Sequence, residues 1–147
     1  MSILEVQQHL VSRGIKPSMQ RVVIMQYLMD HKTHPTIDQM FNDLLPVMPT
    51  LSKTTVYNTL KLFHEKKAVL SLTIDEKNVR YDGDTSPHAH FRCKKCGIVY
   101  DIPLEEAEFP FFKGNPEFSL EETLVYFVGT CKTCMQAPTQ DDKTVFC

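Results

Sequence analysis

The sequence predicts an α+β chain, with a helical N-terminal half and a strand-rich C-terminal half. Three observations carry that expectation. Apolar residues recur at helical spacing in four segments before residue 67, three of them behind a good capping residue. Runs suited to strands replace them from residue 69 onward. Two Cys-x-x-Cys pairs, Cys93-Lys-Lys-Cys96 and Cys131-Lys-Thr-Cys134, stand 34 residues apart in the second half. Four thiolates suit a closed tetrahedral zinc site, which would staple the start and end of a small domain.

The elements follow in order. Ile3, Val6 and Leu10 mark a first helix that Gly14 ends. Ser18, after Pro17, caps a second. Residues 22–25 and 27–29 of that helix are almost wholly apolar, so it should be the most buried. Thr36 caps a third, with Ile37, Met40, Phe41, Leu44 and Leu45 on one stripe. Pro46 and Pro49 break the chain, and Ser52 caps a fourth helix running to about Lys66. Val56, Leu60 and Phe63 form its core stripe. Thr54, Asn58 and Lys61 point the opposite way, flanked by Thr55 and Tyr57. These are hydrogen-bonding side chains rather than the Glu–Lys pairs of a merely solvated face. A recognition helix in a DNA major groove needs such a set. An ordinary surface helix is the competing reading.

Residues 69–74 and 79–81 read as strands around the turn Asp75-Glu76-Lys77-Asn78. Helices followed by that hairpin make a winged helix-turn-helix, although the acidic turn suits a DNA backbone poorly. Residues 83–87 read as a linker. Further strands are expected at 89–93, 98–102 and 122–128, with a short helix over 104–113 ended by Pro110.

Bulk properties narrow the class. The chain has 147 residues, 42% hydrophobic and 23% charged, which describes a globular protein. No apolar run reaches the ~20 residues of a membrane helix, and the N-terminus lacks a secretion-signal layout. A cytoplasmic protein is expected. Thiols stay reduced there, so the cysteine pairs read as metal or redox sites, not a disulfide framework. Cys147, the fifth cysteine, reads as a terminal thiol without a role. Net charge is −2, but residues 1–80 carry 10 basic against 7 acidic side chains and residues 81–147 carry 6 against 11. Such an asymmetry points to different partners for the two halves.

Two metal sites of different chemistry emerge. A redox Cys-x-x-Cys should open a helix in a βαβ context, and iron–sulfur ligands are usually closer in sequence. Structural zinc on Cys93, Cys96, Cys131 and Cys134 is the better reading. The second site is softer in outline. On a strand, His88 and His90 share one face because side chains alternate. Asp82, Asp84 and Asp101 offer oxygen ligands. His34, before Pro35, sits where no apolar stripe explains it.

The chain resembles the ferric uptake regulator family over nearly its whole length. The resemblance rests on Gln20-Arg21, His34-Pro35-Thr36, Ser52-Lys53-Thr54-Thr55-Val56-Tyr57 and Arg80-Tyr81-Asp82. It continues through His88-Ala-His90-Phe-Arg-Cys93, Cys96-Gly97, Asp101 and Gly129-Thr-Cys131-Lys-Thr-Cys134. It implies a winged-helix DNA-binding domain over 1–82, a hinge at 83–87, and an α/β dimerisation and metal-binding domain over 88–147. It also implies a metal-dependent repressor, not an enzyme, acting as a homodimer on double-stranded operator DNA. Within the family the chain looks most like the peroxide-sensing branch. Asp101 stands where iron-sensing relatives more often carry Glu, and Asn58 where many carry Arg.

In that branch three histidines and two aspartates hold the sensing metal, roles that fall here on His34, Asp82, His88, His90 and Asp101. Such a set suits Fe2+ or Mn2+, and also zinc. The resemblance puts peroxide-driven oxidation, with iron only, on His34 or His88. His34 and Asp82 come from the DNA-binding side and the others from beyond the hinge. A bound metal would therefore fix the angle between domains, and in a dimer the spacing of recognition helices. The expected DNA contacts are Lys53, Thr54, Thr55, Tyr57 and Asn58, with Arg21 on a phosphate. One alternative keeps the same site as a reversible iron- or metal-level sensor. Another is a metalloenzyme, with Glu105 the nearest acid/base candidate. A zinc-stabilised interaction module without DNA is a third.

Overall fold

Serine and threonine caps decide where the first four helices begin. Helices α1 (Ile3–Ser12), α2 (Met19–Asp30), α3 (Ile37–Leu44) and α4 (Lys53–Glu65) follow Ser2, Ser18, Thr36 and Ser52. Each cap side chain accepts a hydrogen bond from the backbone three residues on, and Glu5 and Gln39 complete reciprocal capping boxes. Such caps are worth about 0.5–2 kcal/mol each. Gly14, at φ +73°, supplies the left-handed turn that releases the chain from α1.

The structure is a computed structural model that describes residues 1–103 and 114–136. The helix expected over 104–113, Glu105 within it, and Cys147 lie outside the described residues. The chain divides into two compact units, Met1–Ser86 and Pro87–Cys147.

The first unit is a winged helix. Val6, Leu10, Ile24, Met25, Met40, Val56, Leu60 and Phe63 are wholly buried in one core. Ile3, by contrast, is 65% exposed, so the buried stripe of α1 is Val6 and Leu10. α2 buries Val22, Ile24, Met25, Tyr27 and Leu28, as expected of a helix apolar on most sides. Tyr27 donates a 2.6 Å hydrogen bond to Asp43 of α3. Burial, then that carboxylate, pushes the phenol pKa upward. The wing is the antiparallel pair β1 (Leu70–Leu72) and β2 (Arg80–Asp82), with Ser71 opposite Tyr81. β1 is shorter than the apolar pattern over 69–74 suggests, because pairing ends before the turn, and β2 is shifted by one residue from 79–81. Residues 83–86 belong to this unit: Gly83 lies against Leu28, and Asp84 N–H donates to Asp82 at 2.9 Å.

The second unit holds β3 (Ala89–Cys93), β4 (Val99–Ile102), β5 (Tyr126–Gly129) and the short α5 (Lys132–Gln136). Sheet order is β4-β3-β5, with β3 antiparallel to β4 and parallel to β5. The last strand starts four residues later than the pattern over 122–128 suggests. Residues 121–124 are exposed, whereas from Val125 the backbone meets β3, starting with His90 N–H to Val125 C=O at 3.0 Å.

Candidate metal centres and nucleic-acid interface

The sheet ends where the cysteines begin. Cys93 is the last residue of β3, and Gly97, at φ +78°, turns the first knuckle back toward β4. Gly129 lies opposite Cys93 across the parallel pairing, which delivers Cys131 to the same place. Cys134 then sits inside α5, a helix the sequence reading did not anticipate. The ligand sulfurs of Cys93, Cys96, Cys131 and Cys134 all lie within 4.8 Å of one another. Cys96 Sγ and Cys131 Sγ are 3.9 Å apart. A disulfide would need about 2.05 Å. Two sulfurs each about 2.3 Å from a tetrahedral zinc stand about 3.8 Å apart, so the separation fits the metal.

Backbone amides prepare this cluster for charge. At Cys93 burial opposes ionisation, but N–H groups of Cys96, Cys131 and Lys95 together outweigh it and bring the thiol down to about 7. Cys131 N–H donates to Cys93 Sγ at 3.4 Å. Burial pushes the Cys134 thiol up, and neighbouring Cys93 pushes it further. The two thiols thus titrate in opposite directions, as expected when one negative charge already occupies a shared site. Phe91 and Tyr100 pack on this cluster, and Ala89 and Val99 of the same sheet are also buried.

The histidines fall into two carboxylate-paired groups, one in each unit. In the first unit, His34 Nε2 is 3.4 Å from Asp82 Oδ2, with only 2% and 5% of the side chains exposed. Burying such polar groups is costly unless they are paired, and their pairing meets part of that cost. His34 also adopts φ +56°, a left-handed backbone uncommon outside glycine. Arg80 Nη1 donates to the His34 carbonyl at 3.3 Å, and Tyr81 N–H donates to the Pro35 carbonyl at 3.1 Å. The wing backbone therefore frames the His34 loop.

In the second unit, His90 is the direct cross-strand neighbour of Asp101. His90 Nε2 is 3.4 Å and His88 Nε2 3.1 Å from the same Asp101 Oδ1. The two imidazoles lie 4.4 Å apart, on one face as the alternation requires. Asp84 takes a different part: its Oδ1 accepts from Ser86 N–H at 2.9 Å in a local turn. Nitrogen and oxygen donors of this kind could hold a divalent metal ion.

The exposed side of α4 is polar. Thr54, Tyr57, Asn58 and Lys61 face solvent, Tyr57 at 52% exposure, while Val56, Thr59, Leu60 and Phe63 are buried. Thr55 is half-buried, with its hydroxyl 2.9 Å from Ser52. Lys53 is exposed but paired with Asp38 at 3.0 Å, its ammonium 5.7 Å from the Phe41 ring centre. Arg21 is half-buried and donates to the Lys16 carbonyl at 2.9 Å. Among these, Thr54, Tyr57 and Asn58 are presented outright. Lys53 and Arg21 would have to exchange a protein partner for a phosphate.

Sequence reasoning missed the role of Arg80 beyond its place in a matched tripeptide. The available signal was Asp75, an acid five residues earlier across a tight turn.

Comparison with known proteins agrees with this geometry. The model of the Ferric uptake regulator family matches residues 12–111. The peroxide-responsive repressor PerR of Staphylococcus epidermidis is 32% identical over 126 residues, spanning 84% of this chain and 83% of its own. In fold, the chain is similar to the ferric uptake regulator Fur of Helicobacter pylori (TM-score 0.68, 16% identity, 95% of this chain and 97% of that one). It is also similar to the Campylobacter jejuni peroxide stress regulator (TM-score 0.64, 23% identity, 91% of this chain and all of that one). With the winged helix and the cysteine cluster already described, these matches lead to one conclusion: the chain belongs to the ferric uptake regulator family.

Proposed function

We propose that this protein is a metal-dependent repressor that binds operator DNA as a homodimer and lets go when hydrogen peroxide oxidises a histidine ligand. The observation that carries the reading is the pairing of buried imidazoles with carboxylates, His34 with Asp82 and His88 and His90 with Asp101. These five residues serve one regulatory ion, Fe2+ or Mn2+, while the four cysteines hold a structural Zn2+. The two aspartates keep the imidazoles oriented and supply negative charge. Two ligands come from the winged-helix unit and three from the other, so the ion favours one arrangement of the two over the rest. Operator affinity rises only by the ion's preference for that arrangement.

Iron, when bound, would supply the chemistry that splits peroxide. His34 or His88 would take one oxygen atom on its ring, with the other released as water, and the altered imidazole would be a poorer ligand. The peroxide reading is preferred over a reversible metal-level sensor because the curated relative at 32% identity is a peroxide-responsive repressor. The metalloenzyme reading is set aside because the family and the peroxide-responsive relative are regulators.

Homodimerisation is supported by apolar surface on the second unit. Phe118, Leu120, Leu124 and Val128 are 42–66% exposed, and β5 is a terminal strand of its sheet. Such a surface suits a second copy. The place of action under this reading is the cytoplasm, the compartment in which operator DNA would be bound.

DNA reading is assigned to Lys53, Thr54, Thr55, Tyr57 and Asn58, with Arg21 on a phosphate. Tyr57→Ala should weaken manganese-dependent binding to the protein's own promoter by about 1–3 kcal/mol. Zinc and manganese content should not change. Fluorescence anisotropy beside metal analysis checks this. Unchanged affinity would remove α4 as the recognition helix, and no binding with any metal would favour a module that does not use DNA.

A further inference from the structure

We infer that Arg80 is a positioning residue for the regulatory metal ligand His34, tying that ligand to the wing. The inference rests on the proposed ligand role of His34. It adds a residue that touches no metal and a mechanical route by which wing and metal affect each other.

The geometry is a short polar chain within the first unit. Asp75, at the wing turn, accepts from Lys77 N–H at 2.9 Å, which shapes the turn. The same carboxylate takes Arg80 Nε and Nη2, each at 3.0 Å, with both side chains about 85% shielded from solvent. Arg80 Nη1 then reaches the His34 carbonyl at 3.3 Å. The guanidinium is a rigid fork, so fixing two of its nitrogens on Asp75 aims the third.

His34 needs such support. Its φ of +56° is a backbone state that costs energy and persists only where neighbours over-determine it. Two bonds from the wing do so: Arg80 to the His34 carbonyl, and Tyr81 N–H to the Pro35 carbonyl. Without Arg80 the loop would relax, and the imidazole would leave the position 3.4 Å from Asp82 in which the two can act together. Partners that orient a ligand commonly change metal affinity by about 10–100-fold when removed. By linkage, whatever displaces the wing turn also shifts metal affinity, and the metal shifts the wing.

The test measures manganese affinity of the full zinc-loaded chain by the loss of the free-ion electron paramagnetic resonance signal. It compares wild type, Arg80→Ala, Arg80→Lys, Asp75→Asn and His34→Ala. Amide hydrogen exchange at Tyr81 is followed in the same proteins without manganese. Arg80→Ala should weaken manganese binding about 10–100-fold and speed Tyr81 exchange, with the helical circular dichroism kept. Arg80→Lys should recover part of the affinity, and Asp75→Asn should lose less than Arg80→Ala. Should Arg80→Ala not fold, Asp75→Asn carries the comparison alone. Wild-type affinity in both Arg80→Ala and Asp75→Asn, with His34→Ala still defective, would overturn the positioning role and leave the ligand assignment standing. Wild-type affinity in His34→Ala would overturn both.

Discussion

Replacing Cys134 by serine is expected to abolish cooperative folding of the Pro87–Cys147 unit while the winged helix stays folded. The cysteine cluster, with Phe91 and Tyr100 against it, makes up much of the described core of that unit, beside the small side chains of Ala89 and Val99. A structural zinc contributes on the order of 10–16 kcal/mol in small zinc-dependent folds, whereas a whole domain is stable by about 5–15 kcal/mol. Losing one ligand therefore removes more than the unit has to spare. Cutting an apolar neighbour, as in Phe91→Ala, should cost only about 3–5 kcal/mol. The first unit has its own buried set around Met25, Leu60 and Phe63, so it should survive. Scanning calorimetry of the variant should lack the second unit's transition and keep the first. Two unchanged transitions, or an unchanged melt after chelation, would contradict a structural zinc.

His90→Ala should leave the fold and the zinc in place and remove the response to manganese. His90 is 2% exposed, sits in the middle strand of its sheet and lies opposite Asp101. It is a proposed ligand of the regulatory ion and lies outside the cysteine cluster. Couplings between an effector and a second ligand are typically about 1–3 kcal/mol, or 5–150-fold. Manganese should raise operator affinity of the wild type by a factor in that range and have no effect on the variant. Affinity without manganese should be the same for both. An undiminished manganese response in His90→Ala would remove this residue from the regulatory site.

Much of this was legible in the sequence, for identifiable reasons. The helix starts were readable because a capping side chain acts over three residues, as Ser18, Thr36 and Ser52 do here. The cysteine cluster was readable because a tight knuckle constrains ligand spacing, and Gly97 supplies its left-handed residue. His88 and His90 were readable as one face from strand alternation alone. What escaped depends on partners distant in sequence. The parallel pairing of β3 with β5, which brings Cys131 to Cys93, has no local signature. The late start of β5 reflects where β3 offers partners, not the apolar pattern of 122–128. The left-handed backbone of His34 and its support by Arg80 join positions 46 residues apart. The choice between Asp82 and Asp84 was open in the sequence. Asp82 lies 3.4 Å from His34, whereas Asp84 accepts from Ser86 in its own turn.

The central claim is that peroxide is sensed by oxidation of a metal ligand. Its most direct test is peptide mass spectrometry of the zinc-loaded protein, charged anaerobically with iron and exposed briefly to hydrogen peroxide, beside a manganese-loaded control. One added oxygen on the His34 or His88 peptide, in the iron sample only, is the predicted result. Unmodified histidines in both samples would contradict ligand oxidation and leave a reversible metal-level sensor built on the same fold.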